Sequence, residues 1–487
     1  MQIARNVAEG RGATFDGETP TNGFHPVYLT ILAFLFRILP HADRVFILHL
    51  ALSILSLATV GSGAWLYAIV GRAAGRPAAG LALMAWLFNP FVVGITLAGV
   101  EAPLAVFAIA ATTWLVLETL RRWRERPPRV GETALLGVLL AFCCLCRTDS
   151  VFFAGSVGLA LLVELHRHRS VRSACAAALV AGGLLTLSPW LVWNLRHFGT
   201  IVQDSARILP FRAHSLFLAH AGPEALPGHL IEQVERWSML LVKTLGLGGG
   251  VIPIFLLGLI VGTFIPPLPR RFPIDQQGGL ARRFLLILVA PVVLTLGFYA
   301  LYFWHRQYWY FLGPLFFVTL FLGLAYDRVA RLLEVRSRRA SAIFLPLIVF
   351  TLFPALYLEG GLERYRKGFN PWQAVYVTAA REFETLLPPD AKVGAFNAGI
   401  FGYLGNRPVV NLDGVVNGEI EAAMRQKRLL AYLRRKGITH VIDHRGVIES
   451  YALWAEPGFL DAFRLVREYP TPPSSGNVVL LALRPER

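Results

Sequence analysis

The chain has 487 residues, 55% of them hydrophobic and only 16% charged, with a mean hydropathy of +0.52. Soluble domains carry about a quarter charged residues, so one large water-soluble core is excluded and a polytopic membrane protein is implied. The formal net charge of +16 does not signal nucleic acid, because the basic residues gather in short loops between apolar segments, the pattern that marks cytoplasmic loops.

The chain opens with 24 polar, glycine-rich residues and no apolar leader. If the arginine-rich loops are cytoplasmic, this opening lies outside the cell with no helix to carry it there. The expectation is therefore a missing first transmembrane helix, through a misplaced start codon or a truncation. Residues His25–Leu39 are apolar but short. Counting them as a span would invert every later loop, so they are expected to lie flat on the outer surface, with Phe24, Tyr28 and Phe34 at the interface.

Ten spans follow, at 45–70, 78–97, 101–119, 131–147, 150–165, 173–195, 237–263, 284–303, 309–326 and 341–358. Every second loop is basic: Arg72 and Arg76; Arg121 to Arg129; Arg167, Arg169 and Arg172; Arg270, Arg271, Arg282 and Arg283; and Arg328 to Arg339. Those loops are assigned to the cytoplasm. The remaining loops, and both termini, then face outward. The four cysteines (Cys143, Cys144, Cys146 and Cys175) sit in apolar segments without His or Asp at ligand spacing, which suits packing rather than metal.

After Leu358 the composition changes and the charges nearly balance. Lys392–Tyr403 suggests a strand and turn, Arg407–Leu412 a second strand, and Glu419–Lys436 an amphipathic helix closed by Gly437. His440–Asp443 and Asn477–Leu483 suggest further strands. The expected fold class is a polytopic α-helical membrane protein of about ten spans with a small C-terminal extracytoplasmic α/β domain. Its regions are an external loop with an interfacial helix (1–40), the spans (41–358) and the outer domain (359–487).

Polar groups that border apolar spans on the outward side are candidates for function. Glu101 starts a span directly after LAGV and suits a base or an orienter of an acceptor hydroxyl; the plainer role is a solvated acid at a helix N-terminus. Arg147 and Asp149 stand together in CLCRTDS, where a plain surface pair is the alternative to a functional one. Arg306 in YFWHRQYWYF suits a phosphate oxygen, or an interfacial anchor among aromatics. Arg196, after Asn194, suits a lipid phosphate or a snorkelling side chain. In VVNLDGVVN, Asn411, Asp413 and Asn417 suit a sugar, although Asp413–Gly414 also fits plain turn chemistry. No P-loop, dinucleotide fingerprint, HExxH or nucleophile elbow is present, so nothing points to a nucleotide donor.

These residues resemble the GT-C glycosyltransferases, the polytopic enzymes that include protein O-mannosyltransferases, lipid A aminoarabinose transferases and mycobacterial arabinofuranosyltransferases. The opening IARNVAEGRGATFDGETPTNGFHP resembles their first external loop, and His25–Pro26 resembles the element before its interfacial helix. Glu101 stands where the family places a second acidic residue, and Arg306 with Tyr308 resembles its late Arg-Tyr pair. GYLGNRPVVNLDGVVN is similar to the start of the soluble domain in a bacterial branch. The departure is that the family's first helix, with an acidic pair at its outer end, has no counterpart here.

The resemblance implies transfer of a sugar outside the cytoplasm from a polyprenyl-phosphate donor to a glycan, lipid or protein acceptor, without a cofactor. Glu101 would be the catalytic carboxylate, assisting a base upstream of the chain. Arg306, helped by Arg196 or Arg147, would hold the donor phosphate. His25, Tyr308, Asn411, Asp413 and Asn417 would contact substrate, and no metal ligand is assigned. A transporter or flippase and a non-catalytic scaffold are the alternatives; no inverted repeat supports the first.

Overall fold

The structure is a computed structural model that describes residues 1–168, 170–244, 287–334, 366, 373–471 and 476–485, with backbone alone for 241–244 and 328–334. The expected span 341–358, most of 237–263 and the last two basic clusters lie outside the described residues or their side chains. Helices dominate, and a small sheet domain follows them.

A short helix α1 (Gln2–Ala8) precedes the external loop, and α2 (Pro26–Ile38) is the short apolar helix expected from the sequence. Pro26 sits at its first turn, where a missing N–H costs nothing. The long helix α3 (Arg44–Ala74) is capped by the Asp43 carboxylate, which accepts from the amides of Val45 (2.8 Å) and Phe46 (3.3 Å). Gly75, at φ 90°, breaks the chain between α3 and α4 (Arg76–Leu87). Pro90 and the Asn89 cap then begin α5 (Pro90–Leu97), bent by 48° from α4. So the expected span 78–97 is two helices with a bend between them rather than one straight helix.

Then come α6 (Ala102–Glu125), α7 (Val130–Cys146), α8 (Val151–Leu165) and α9 (Arg172–Phe198). Helices α7 and α9 cross in backbone contact. A Cβ on Gly137 would lie 2.0 Å from the Leu179 carbonyl oxygen, and one on Gly182 would lie 2.3 Å from that of Ala134. Small residues of this kind let membrane helices pack closely where no hydrophobic force drives them together.

The stretch 195–236, expected as a long outward loop, is instead largely helical: α10 (Asp204–Ala221) and α11 (Leu226–Thr244). Helix α11 is amphipathic, with Gln233 and Trp237 buried on one face and Ile231 and Val234 exposed on the other. After the undescribed stretch come α12 (Val289–Phe298), one π turn at Tyr299–Phe303, and α13 (Leu312–Glu334). Among the described residues five helices are long and apolar enough to cross a membrane, or six where the bent α4–α5 pair is counted as one span.

The C-terminal region holds α14 (Gln373–Leu386), β1 (Lys392–Ala395), α15 (Ala398–Leu404), β2 (Val409–Asn411), α16 (Glu419–Arg425), α17 (Leu429–Arg435), β3 (Ile438–His444), α18 (Arg445–Ala455), β4 (Phe463–Tyr469) and β5 (Val478–Leu483). The strands form one mixed sheet in the order β2-β1-β3-β5-β4, parallel across β2, β1 and β3 and antiparallel from β3 to β5 to β4. Two expectations need correction. The stretch after β1 is a helix rather than a turn, because Phe401 on α15 packs into the core. The expected helix 419–436 is two, parted at Lys427, whose φ of 55° cannot continue a right-handed helix.

This domain is fastened to the membrane helices by specific bonds. The Arg44 guanidinium donates to the carbonyls of Tyr403 (3.0 Å) and Gly405 (2.7 Å), and Tyr403 donates back to the Arg44 carbonyl (2.6 Å). Gly23 in the first loop lies against Val415, where a Cβ would meet the carbonyl oxygen at 1.8 Å. Arg207 on α10 pairs with Glu421 on α16 at 2.8 Å. The first loop, α10 and the sheet domain therefore share one end of the helix bundle.

Candidate active site and a neighbouring basic pocket

At that end, residues from four separate stretches of the chain converge. Glu101 occupies the N-cap position of α6, yet its carboxylate makes no capping bond. It accepts instead from the guanidinium of Arg147, at the C-terminal end of α7. Arg147 also donates to Asp149 at 2.9 Å, and the Tyr299 hydroxyl donates to Asp149 at 2.7 Å. Tyr310 places its ring 5.2 Å from the Arg147 guanidinium. His25 brings Nε2 to 3.3 Å from Glu101, while its Nδ1 is buried without a partner among the described residues. Burial holds His25 below the ordinary histidine range, against the opposing pull of Glu101, so the ring is neutral near pH 7.

Arg147 is only 7% exposed. Two carboxylates against one guanidinium leave the cluster with one formal negative charge. Such a group can take a proton or steady a developing positive charge, and it is poorly suited to a phosphate. Beneath it, Arg147 and Asp149 cap a small apolar cavity of about 40 Å³, lined by Ala105, Ile109, Phe153, Pro291 and Phe317.

The cluster is held by its surroundings. Gln203, buried before α10, donates to the Phe24 carbonyl (2.6 Å) next to His25 and accepts from Thr148 (2.8 Å), between Arg147 and Asp149. Asn22 donates to Asn194 (2.8 Å) and accepts from the Asp204 amide (2.8 Å). One loop thus positions both halves of the cluster.

Arg306 lies elsewhere, in a second cavity of about 420 Å³. The π turn that begins at Tyr299 leads directly to it. Trp304 has φ 55°, an uncommon backbone state for a bulky residue, and its ring stands 4.1 Å from that of His214 and 4.6 Å from that of His229. Arg212 and Arg236 join Arg306 in the lining, with His305 and His229. Arg236 pairs with Glu232, and Arg212 donates to the Tyr451 hydroxyl at 3.0 Å.

The other sequence candidates do not meet at either place. Arg196 is exposed at the end of α9, and no hydrogen bond or ion pair engages it among the described residues. Tyr308, 57% exposed, stacks edge-on against Phe91 at 5.5 Å and so parts from Arg306. Asn411, Asp413 and Asn417 serve their own loop. Asn411 accepts from the Gly414 amide (3.1 Å), Asp413 from that of Val415 (2.8 Å), and Asn417 donates to the Asn411 carbonyl (2.7 Å) and the Tyr432 hydroxyl (2.8 Å). Burial pushes Asp413 up to about 6, with Val415, Asn411 and Arg212 opposing.

Sequence reasoning missed Tyr299, Tyr310, Gln203, Arg212 and His229. The two tyrosines sit within aromatic runs, and the other three in a stretch read as loop, so no local signal separated them from their neighbours. Among the described residues no three His, Cys, Asp or Glu side chains are grouped to hold a metal ion.

The fold is that of the GT-C membrane glycosyltransferases. ArnT from Cupriavidus metallidurans, solved with undecaprenyl phosphate, superposes with a TM-score of 0.55 at 12% identity, over 99% of this chain and 92% of that one. The oligosaccharyltransferase of Archaeoglobus fulgidus matches with a TM-score of 0.58 at 14% identity, over 98% and 68%. A further structure of the Archaeoglobus enzyme, AglB with an inhibitory peptide and a dolichol-phosphate, matches at 0.54 and 12% identity, over 98% and 69%. Residues 24–193 match the family model described as dolichyl-phosphate-mannose-protein mannosyltransferase, and residues 365–480 match a domain of unknown function. No curated protein matches the sequence. The chain therefore shares the fold of these membrane transferases, and its residues 24–193 match that mannosyltransferase family model.

Proposed function

We infer that the chain moves a sugar from a polyprenyl-phosphate donor to an acceptor hydroxyl on the outer side of the cytoplasmic membrane. One observation carries this reading: an anionic cluster and a cationic pocket lie at the same end of the bundle, joined by five residues of π turn from Tyr299 to Phe303. Sugar transfer needs both signs. In the step, the bond from the anomeric carbon to the phosphate oxygen breaks and its electron pair stays on the phosphate. The acceptor oxygen forms the new bond to that carbon, and its proton passes to a carboxylate. Glu101 is the carboxylate assigned here, with neutral His25 at its edge.

The cationic pocket, through Arg306, would hold the leaving phosphate. Arg147 instead belongs with Glu101 and Asp149, whose charges it already balances in part. Arg196, exposed at the surface, suits contact with lipid head groups. The acceptor, whether glycan, lipid or protein, would enter between the cluster and the outer domain (359–487), near Tyr308 and the Asn411–Asn417 loop. No cofactor is required, since the donor carries its own leaving group. The two solved relatives described with undecaprenyl phosphate and with dolichol-phosphate support a lipid-linked donor.

The test works for any sugar. Lipid extracts of a deletion strain should accumulate one polyprenyl-phosphate sugar. The intact chain should clear it, while Glu101→Gln and Arg306→Ala should not. Clearance by Glu101→Gln at the normal rate would remove the assigned carboxylate, and no accumulation on deletion would remove the transferase reading.

A further inference from the structure

Tyr299 stands where the acidic cluster meets the turn that leads to the basic pocket. It opens the π turn, it is buried, and its hydroxyl donates to Asp149 Oδ2 at 2.7 Å across 150 residues of sequence. A phenol that binds a carboxylate in this way makes a charge-assisted bond. The Nε of Arg147 donates to the same carboxylate at 2.9 Å, and its Nη1 donates to Glu101. Asp149 and Glu101 therefore divide one guanidinium, and the Tyr299 hydroxyl meets part of the demand of Asp149.

The ring is held as firmly as the hydroxyl. It stacks on Tyr310, with centroids 4.3 Å apart and planes within 14°, and on Trp237 at 5.3 Å and 13°. Tyr310 in turn faces the Arg147 guanidinium at 5.2 Å, and Trp237 stacks on Phe311 at 4.7 Å. A ring stacked on two neighbours cannot swing its hydroxyl away from Asp149 without unstacking. Trp237 belongs to α11 and follows Arg236, which lines the basic pocket. The helix that lines the pocket thus also fixes the phenol.

Resting on the transferase reading, we propose that Tyr299 is a positioning residue for the transfer: its hydroxyl, acting through Asp149, keeps the Arg147 guanidinium on Glu101. Without that donor, a lone pair of the largely buried Asp149 is left unsatisfied. The side-chain donor that remains to Asp149 among the described residues is Arg147. The guanidinium then shifts toward Asp149, and Glu101 loses its anchor. Tyr299 itself touches no reacting atom.

The experiment compares Tyr299→Phe, Asp149→Asn and the two together, with Tyr302→Phe, an exposed phenol on the same turn, as the control. One readout is the rate at which each variant clears the accumulated lipid-linked sugar in the deletion strain. The other needs no substrate: the rate at which a carbodiimide with glycine ethyl ester labels Glu101 in the purified full-length chain in lipid nanodiscs, located by peptide mass mapping. Tyr299→Phe should slow clearance about tenfold, the worth of one such bond, and speed labelling of Glu101 by a similar factor. Asp149→Asn leaves Arg147 wholly to Glu101, so labelling should slow. In that background Tyr299→Phe should change neither rate further, and Tyr302→Phe should match the parent throughout.

Labelling of Glu101 at the parent rate in Tyr299→Phe would overturn the proposal. Faster labelling in Asp149→Asn as well would also overturn it, since a loosened bundle exposes Glu101 in both variants alike. A full further loss of clearance in the double variant would place Tyr299 on the substrate and end its action through Asp149. The transferase reading stands or falls separately, on clearance by the parent chain. Clearance by the parent with labelling unmoved by Tyr299→Phe sinks only this proposal. Labelling that shifts as expected in a parent that clears nothing sinks only the transferase reading.

Discussion

Removing the Arg147 side chain should be among the most damaging single changes in the chain. Arg147 is 7% exposed and bonds to both Glu101 and Asp149, 46 and two residues away in sequence. Substitution by Met keeps much of the volume but leaves two carboxylates facing each other with little water to separate them. Breaking a buried ion pair from one side costs about 3–5 kcal/mol, because the remaining charge is uncompensated. Here two such charges remain, so the upper end of that range applies.

The assay is thermal unfolding in detergent, followed by a thiol-reactive dye. Cys143, Cys146 and Cys175 are buried and free, so they report opening of the bundle directly. Arg147→Met should unfold well below the parent, and the triple substitution with Glu101→Gln and Asp149→Asn should recover most of the loss. Arg147→Lys should be intermediate, since an ammonium lacks the planar fork that spans two carboxylates. If Arg147→Met unfolds at the parent temperature, the three groups do not form a charged cluster, and its assigned chemistry falls with it.

Gly182→Val should prevent close approach of α7 and α9, since even a Cβ there would sit 2.3 Å from the Ala134 carbonyl oxygen; a well-folded monodisperse variant on size-exclusion chromatography would contradict this packing. Asp413, held near 6 against 3.8 for an unburied aspartate, binds a proton more readily in the folded chain than in the unfolded one. Its contribution should therefore be fully favourable below pH 3.8 and lost as pH rises to about 6. Unfolding curves of Asp413→Asn should lack that slope, and an identical pH profile would refute it. Arg44→Ala removes the bonds to Tyr403 and Gly405. The sheet domain should then be released faster by limited proteolysis, and unchanged cleavage would show that the first-loop contacts and the Arg207–Glu421 pair suffice to fasten it.

Residue type and spacing are enough to mark the chain as polytopic and to place a sheet domain after the apolar segments. Apolar runs of membrane length and β-branched strands carry their own signal, and the ends of apolar spans mark Glu101, Arg147 and Asp149 as costly places for charge. The same reasoning assigned Arg306, with Arg196 or Arg147, to a phosphate and paired it with Tyr308, its near neighbour in sequence. The structure turns Tyr308 toward Phe91 and Arg306 toward Arg212 and Arg236. Two residues apart on an irregular turn, they face different surroundings, which no periodicity predicts.

That this chain lives in a membrane, that it carries a C-terminal α/β domain, and that a few charged residues stand at the ends of apolar spans can all be read from residue order. Local apolar periodicity and the cost of burying charge are properties of each segment taken alone. The bond between Glu101 and Arg147, the closure of Tyr299 on Asp149, and the supply of Arg212 and His229 to the basic pocket from a stretch expected as loop emerge only on folding. Those contacts join positions tens to more than a hundred residues apart. They depend on how the helices cross, at Gly137 and Gly182 among other places, and on a π turn that redirects the chain at Trp304.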